Sequence, residues 1–308
     1  MLTIRMDNVP PGFNQPTKLP SGNEERLQWQ RANIAWWEQH PMRYDWKESI
    51  DAPAQSGDFY AEIDKRFFDT ARVFMPWRQV PFDSLIDFDS LGVKDVLEIG
   101  VGCGSHAGLL ARHAGSFVGI DLTNYAVGTT NQRLKTFGLN GKILRMDAEM
   151  LQFEDESFDF IWTWGVIHHS ADTRQVLKEM RRVLRPGGTA VTMVYHRGLW
   201  NYYFCTGLVL GVLGLDLLRT RSLHKTVQTH TDGAMARYFS AREWKKLASA
   251  CGFQVQGTRV YGAKPELIPI PGSRLKTAVL KMIPDSVSRF FTNQLKMGSF
   301  LVSQLKKE

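Results

Sequence analysis

Val96-Leu97-Glu98-Ile99-Gly100-Val101-Gly102-Cys103-Gly104 is the stretch that decides how this chain folds. Its first four residues form a short apolar strand pattern carrying one acid, and three glycines at alternate positions follow before a helical run begins. Glycine lets the backbone turn sharply and approach a bound group, and the first turn of a helix presents unpaired N–H groups. The order strand, glycine turn, helix therefore reads as a ligand cradle. Its spacing, Glu-x-Gly-x-Gly-x-Gly, departs from the G-x-G-x-x-G dinucleotide fingerprint, because the third glycine falls at Gly104 and Ser105 follows it. Cys103, inside the turn, reads as a small packed thiol without a chemical role.

Outward from this turn the pattern alternates. Helices are predicted over 106–114, 124–137 and 173–184, and strands over 117–121, 142–146, 158–163 and 189–195, with Gly138 and Pro186-Gly187-Gly188 as stops. Strands alternating with helices of this length imply right-handed crossovers and an α/β, doubly wound parallel sheet with helices on both faces. Asp121 ends the second strand, where a carboxylate can accept from both hydroxyls of a ribose held over the adjacent turn. Asp147-Ala148 follows the third strand, where a carboxylate can accept from an exocyclic adenine amine. Alone, each Asp reads as a helix cap or turn residue. Their recurrence at successive strand ends beside the glycine turn argues for one nucleoside site.

Composition agrees with a folded chain: 308 residues, 43% hydrophobic and 22% charged. Cys103, Cys205 and Cys251 are three and widely separated, which excludes a disulfide framework and a Cys-x-x-Cys zinc site, so no metal is expected and a reducing cytoplasmic setting fits. Residues 1–15 hold charges and breakers but no apolar core, against a secretory signal. Residues 1–22 read as a flexible arm. Residues 23–90 read as a helical extension or lid rich in tryptophan, with Trp29, Trp36, Trp37 and Trp46 expected to pack on the main domain. That domain is expected over 91–308. The net charge of +7 is uneven: residues 1–195 carry 21 Lys and Arg against 25 Asp and Glu, whereas residues 196–308 carry 17 against 6. The basic part suits a phosphate, an anionic lipid surface or nucleic acid, unless it is only a solvated face.

With these pieces in place, residues 98–195 resemble the class I, Rossmann-like S-adenosylmethionine-dependent methyltransferases, in particular the small-molecule and lipid branch of ubiquinone/menaquinone and sterol methyltransferases. The resemblance rests on Val96–Gly104, Val118-Gly119-Ile120-Asp121, Asp147-Ala148-Glu149 with Phe153, Phe158-Asp159-Phe160-Ile161-Trp162, Gly165-Val166-Ile167-His168-His169 and Arg182-Val183-Leu184-Arg185-Pro186-Gly187-Gly188. It implies a seven-stranded sheet, mostly parallel with an antiparallel last strand, and strands over 253–261 and 299–305 fit the two remaining places. Inserts at about 197–240 and 263–298 depart from the family pattern. Carried over by position, Glu98, Gly100, Gly102 and Gly104 surround the methionyl end of S-adenosylmethionine. Asp121 and Leu122 take the ribose, Asp147 and Ala148 the adenine, and Trp164 lies beside the sulfonium.

A methyl on sulfonium is already electrophilic, so alignment and exclusion of water come first, and a base helps an oxygen or carbon acceptor. His168 and His169, after the fourth strand, are candidates. Tyr195 and His196, at the end of the fifth, are comparable, and the sequence does not rank the four. The apolar run 200–218 has the length of a membrane span, but a span would part the last strands from their sheet. A core helix, a lid over a greasy pocket or a helix in the membrane interface fits better. With Arg219, Arg221, Lys225, Arg237 and Arg242 nearby, the expected acceptor is a small molecule, hydrophobic and bearing an anionic group, with peripheral membrane contact. The alternatives are an RNA or other nucleic-acid methyltransferase, and a non-catalytic S-adenosylmethionine-binding protein at the membrane periphery. Against nucleic acid, Trp164-Gly165-Val166-Ile167 stands where enzymes of exocyclic base amines carry Asn/Asp-Pro-Pro-Tyr.

Overall fold

The computed structural model describes residues 9–45 and 48–308. Two helices come first, α1 (Asn23–Gln39) and α2 (Gly57–Phe74), the latter capped by Ser56, whose side chain accepts from the Phe59 N–H. Then β1 (Asp95–Ile99), α3 (Ser105–Ala111), β2 (Ser116–Asp121), α4 (Asn124–Thr136), β3 (Lys142–Arg145), β4 (Phe158–Trp164), α5 (Thr173–Val183) and β5 (Leu184–His196) follow in the predicted alternation. The chain continues through a π-helical segment (Leu199–Leu210), α6 (Gly211–Leu213), α7 (Asp216–Thr220), α8 (Leu223–Thr229), β6 (Tyr238–Phe239), α9 (Ala241–Ala250) and β7 (Phe253–Tyr261). It ends with α10 (Arg274–Met282), α11 (Asp285–Arg289) and β8 (Phe300–Lys307).

The sheet runs β3-β2-β1-β4-β5-β8-β7. β8 is antiparallel to both β5 and β7, and the other pairings on this path are parallel. The seven-stranded expectation describes this path. It omitted β6, an eighth strand of two residues that pairs with the end of β5 through Tyr195 and His196. β5 also begins earlier than expected: Leu184 pairs with Phe158 and Thr189 with Phe160, so Pro186-Gly187-Gly188 is an excursion within the strand, with Gly187 at φ 79°.

Side chains alternate across the sheet, as a strand period of two requires. Val96, Trp162, Met193 and Val302 face one core with Phe67, Phe74 and Phe82. Leu97, Ile161, Val194 and Leu301 face the other with Leu177 of α5 and Trp244 of α9. Each such buried side chain contributes about 1.5–3 kcal/mol relative to exposure. Asp172 caps α5 by accepting from the Arg174 and Gln175 N–H groups, and Ser240 with Glu243 forms a capping box on α9.

The described part of the N-terminal arm packs against the rest of the chain. Phe13 is 2% exposed and meets Trp29 edge-on at 5.4 Å, Trp29 Nε1 donates to the Pro11 carbonyl at 3.0 Å, and the Tyr238 N–H donates to the Pro16 carbonyl at 2.9 Å. Aromatic burial and these bonds hold residues that composition alone assigns to a loop. Trp29 and Trp36 are buried, while Trp46 lies outside the described residues. The apolar run after Trp200 is not one long helix, because the chain turns at Gly214 and at Leu215, which has φ 58°. Among the described residues no helix is long and apolar enough to cross a membrane.

Candidate active site

The glycine turn sits where β1 hands over to α3. Gly100 has φ 82°, and a Cβ there would stand 2.2 Å from the Val166 side chain, so only glycine lets the β4 loop close over it. Gly102, at φ 53°, faces open space, and a side chain added there would occupy the cavity. Asp121 locks the turn: its carboxylate accepts from the Gly102 N–H at 3.2 Å and from the Thr123 N–H and hydroxyl at 3.0 and 2.9 Å. Burial raises the Asp121 carboxyl, and these hydrogen bonds oppose the rise. Asp147 is likewise raised by burial; it accepts from the Glu149 N–H at 2.8 Å and from Gln30 Nε2 at 2.9 Å.

One cavity of about 760 Å³ runs along these strand ends. Gly100, Gly102, Gly104, Asp121, Leu122, Asp147, Ala148 and Trp164 all line it. Glu98 does not. It is buried behind the turn, its carboxyl pushed well up by burial, with Oε1 4.0 Å from Nδ1 of His106. Burial pushes His106 down to about 3, so its ring is uncharged at neutral pH and makes no ion pair with Glu98. Cys103 also lines the cavity, but burial pushes its thiol up to about 12, which keeps it protonated at neutral pH.

The four candidate bases separate. His169 and Tyr195 line the cavity, and His168 and His196 do not. His168 is buried between its neighbours, its ring 4.1 Å from His169 and 4.0 Å from Tyr195. His196 turns away to bond Nδ1 to the Gly298 carbonyl at 2.9 Å. His169 Nδ1 lies 2.8 Å from the Met235 carbonyl, which can only accept, so Nδ1 carries the hydrogen and Nε2 keeps its lone pair. Burial lowers His169 to about 4, leaving the ring neutral at neutral pH. Burial raises the Tyr195 phenol well above its ordinary value, and nearby Asp232 adds to this, so the hydroxyl stays a donor.

Several cavity residues escaped sequence reasoning. Gln30 of α1 bonds Asp147 and also accepts from the Ala171 N–H at 3.1 Å, bridging the third strand to the loop after the fourth. Asn33, three residues on, is buried at the cavity wall with its Oδ1 lacking a hydrogen-bond partner among the described residues. Trp37, a further turn along, lies edge-on to His169 at 5.0 Å. Beyond Trp164, which stacks on Trp162 at 5.4 Å, the wall is mainly apolar, with Phe67, Ala71, Phe74, Met193 and Phe300 beside Arg66, Asp69 and Thr70 of α2. One expected anion-binding cation is corrected. Arg237 is fully buried and donates to the carbonyls of Lys18 at 2.7 Å, Ala171 at 2.6 Å and Ser170, so its charge is committed to holding the β4 loop against the N-terminal segment. Among the described residues no group of His, Cys, Asp and Glu could hold a metal ion.

Residues 97–192, which hold the glycine turn and the carboxylates at successive strand ends, match the methyltransferase domain family. Over 100 residues the chain is 41% identical to the phthiotriol/phenolphthiotriol dimycocerosates methyltransferase of Mycobacterium tuberculosis, covering 32% of this chain and 36% of that one. Over 129 residues it is 37% identical to methyltransferase GfsG of Streptomyces halstedii, covering 41% and 46%. The chain thus spans less than half the length of these relatives. In three dimensions it resembles a chain from the complex between the Haloferax volcanii Trm112 methyltransferase activator and a protein described as a methyltransferase. That likeness has a TM-score of 0.52 at 19% identity, covering 83% of this chain and 98% of the other, and it concerns the fold alone.

Proposed function

We propose that this chain transfers the methyl group of S-adenosylmethionine to an apolar, lipid-like small-molecule acceptor, at oxygen or carbon. The observation that carries the reading is one continuous cavity lined both by Asp121, Asp147 and the glycine turn and by Phe67, Phe74, Met193 and Phe300. The residues fit the cofactor. Two half-buried carboxylates face a cavity that also has Gly102 open toward it and Asn33 Oδ1 without a partner among the described residues. Asp121 with Leu122 would hold the ribose, Asp147 and Ala148 the adenine, Gly100, Gly102 and Gly104 the methionyl end, and Trp164 the space beside the sulfonium. Bound there, S-adenosylmethionine supplies an electrophilic methyl group.

The chain's own residues then do three things. The apolar wall excludes water and takes the acceptor's hydrocarbon body. Tyr195 donates a hydrogen bond that orients the acceptor. Nε2 of His169 takes the proton that an acceptor hydroxyl or activated carbon releases as its new bond to carbon forms. Glu98 supports the turn from behind, and His168 and His196 serve packing. Residues 23–90 act as a lid on a methyltransferase unit spanning 91–308. The name of the Mycobacterium tuberculosis relative supports a lipid-like acceptor.

The test is incubation with labelled S-adenosylmethionine and separated extracts of polar metabolites, lipids and RNA. Label in the lipid fraction, with S-adenosylhomocysteine released, is the expected outcome. Label confined to RNA, or no turnover with any fraction, overturns the proposal.

A further inference from the structure

Two segments of the C-terminal third are rich in positive charge. Residues 197–240 and 263–298 contain 11 Lys and Arg, one of them the buried Arg237, against 4 Asp and Glu. These two segments also touch: Trp200 Nε1 donates to the Glu266 carbonyl at 2.9 Å, and Asn201 Nδ2 donates to Glu266 Oε2 at 2.7 Å. They form one face.

That face is apolar as well as basic. In α10 no residue is buried; Leu275 (70% exposed), Val279 and Met282 (83% exposed) recur at helical spacing on one side, and Arg274 and Lys281 flank them, exposed. A nine-residue helix is marginal in water by itself, and most helical stability comes from packing an apolar stripe, which α10 does not do within the chain. The first segment adds Leu199 (83% exposed) and Leu218 (74% exposed), with Phe290 and Leu295 exposed near α11.

We infer that this two-segment face docks the protein on an anionic lipid bilayer. Aliphatic side chains raised among cations match acyl chains beneath negative headgroups. A second copy is the poorer occupant, because a two-fold interface would set the same surplus of positive charge against itself. The face lies over the apolar wall of the cavity: Arg289 Nη1 donates to the Val73 carbonyl at 3.0 Å and Asn293 Nδ2 to the Phe74 carbonyl at 2.8 Å, while Phe74 and Ala263 line the cavity. An acceptor dissolved in the bilayer would therefore enter from the docked side, a step that rests on the methyl-transfer reading.

The test is co-sedimentation of the full chain with vesicles of phosphatidylcholine containing about 30% phosphatidylglycerol, compared with phosphatidylcholine alone. Binding to the anionic vesicles about tenfold or more stronger, weakening as salt is raised, is expected. Leu275→Glu with Met282→Glu should reduce it about tenfold or more, and Arg274→Gln with Lys281→Gln should reduce it several-fold while flattening the salt dependence. Both variants should bind S-adenosylhomocysteine in calorimetry as the parent does. A parent protein that binds the nucleoside but ignores both vesicles overturns the docking inference and leaves the methyl-transfer reading standing. Equal vesicle binding by Leu275→Glu with Met282→Glu also overturns it, as does a dimer in sedimentation velocity that these substitutions disperse.

Discussion

The side-chain amide of Gln30 donates to Asp147 at 2.9 Å and with its oxygen accepts from the Ala171 N–H at 3.1 Å, tying α1 to two strand ends. Because both of its hydrogen-bonding functions are used, Gln30 sets the direction of the Asp147 carboxylate that the proposal gives to adenine. Gln30→Ala leaves the buried Ala171 N–H unpaired and frees Asp147 to turn. A loss of about 1–2 kcal/mol follows, which is roughly five- to thirtyfold in cofactor affinity. Calorimetry with S-adenosylhomocysteine checks this. An unchanged Kd in a folded variant removes α1 from the cofactor site, and Gln30→Glu, by setting a second carboxylate against Asp147, should weaken binding further.

His169 offers a pH test whose sign is fixed by its burial. Its folded value, about 4, lies below the ordinary 6.5, so on acidification the unfolded chain takes up this proton first. Stability owed to the neutral ring is complete above about pH 6.5 and declines as pH falls toward 4, by about 3 kcal/mol in all at ~1.4 kcal/mol per unit. Urea unfolding of the parent and of His169→Gln at neutral pH and near pH 5 should show a smaller loss in the variant. For turnover, a base with this value stays deprotonated through the mildly acidic range, so kcat should not fall between about pH 8 and 5.5 on its account. His169→Gln should lower kcat about 100- to 10,000-fold with little change in cofactor Kd. A kcat within a fewfold of the parent would assign the proton to another acceptor.

The glycine turn, Asp121 and Asp147-Ala148 were legible in the sequence because each is local: a strand period of two, a turn that needs glycine, an acid at a strand end. The parallel sheet followed from the alternation for the same reason, whereas the antiparallel last strand came from the family resemblance. The residues that the sequence hid are the ones whose neighbours are distant. Gln30 reaches groups 117 and 141 residues away, and on a helix that buries Gln30 and Asn33 beside Trp29 and Trp36 the sequence does not tell a buried amide from a solvated one. His168 and His169 are adjacent in sequence, yet only the second faces the cavity, a difference fixed by the β4 loop and the Met235 carbonyl rather than by residue type. Arg237 misled for a related reason. A cation beside an apolar run suggests an anionic ligand, and only the fold shows that its partners are three backbone carbonyls.

That burial makes Arg237 the strongest structural lever outside the cavity. Its guanidinium, which burial lowers to about 10, lies over the rings of Phe13 at 5.4 Å and Trp29 at 5.8 Å while it bonds the carbonyls of Lys18, Ser170 and Ala171. Three carbonyls lose their charged partner in Arg237→Ala, and buried acceptors left unmade cost about 1–3 kcal/mol each, reduced where water enters the space vacated. A net destabilisation of about 3 kcal/mol or more is expected, lowering Tm by roughly 5 °C or more. Arg237→Lys should recover only part of it, since one ammonium cannot reproduce the planar fork that spans the N-terminal segment and the β4 loop. Differential scanning calorimetry checks the order parent, lysine variant, alanine variant. Because the loop that Arg237 holds continues directly from His169, Arg237→Lys should also raise KM for the cofactor; a lysine variant with parental Tm and parental KM would show that the charge, without its geometry, suffices.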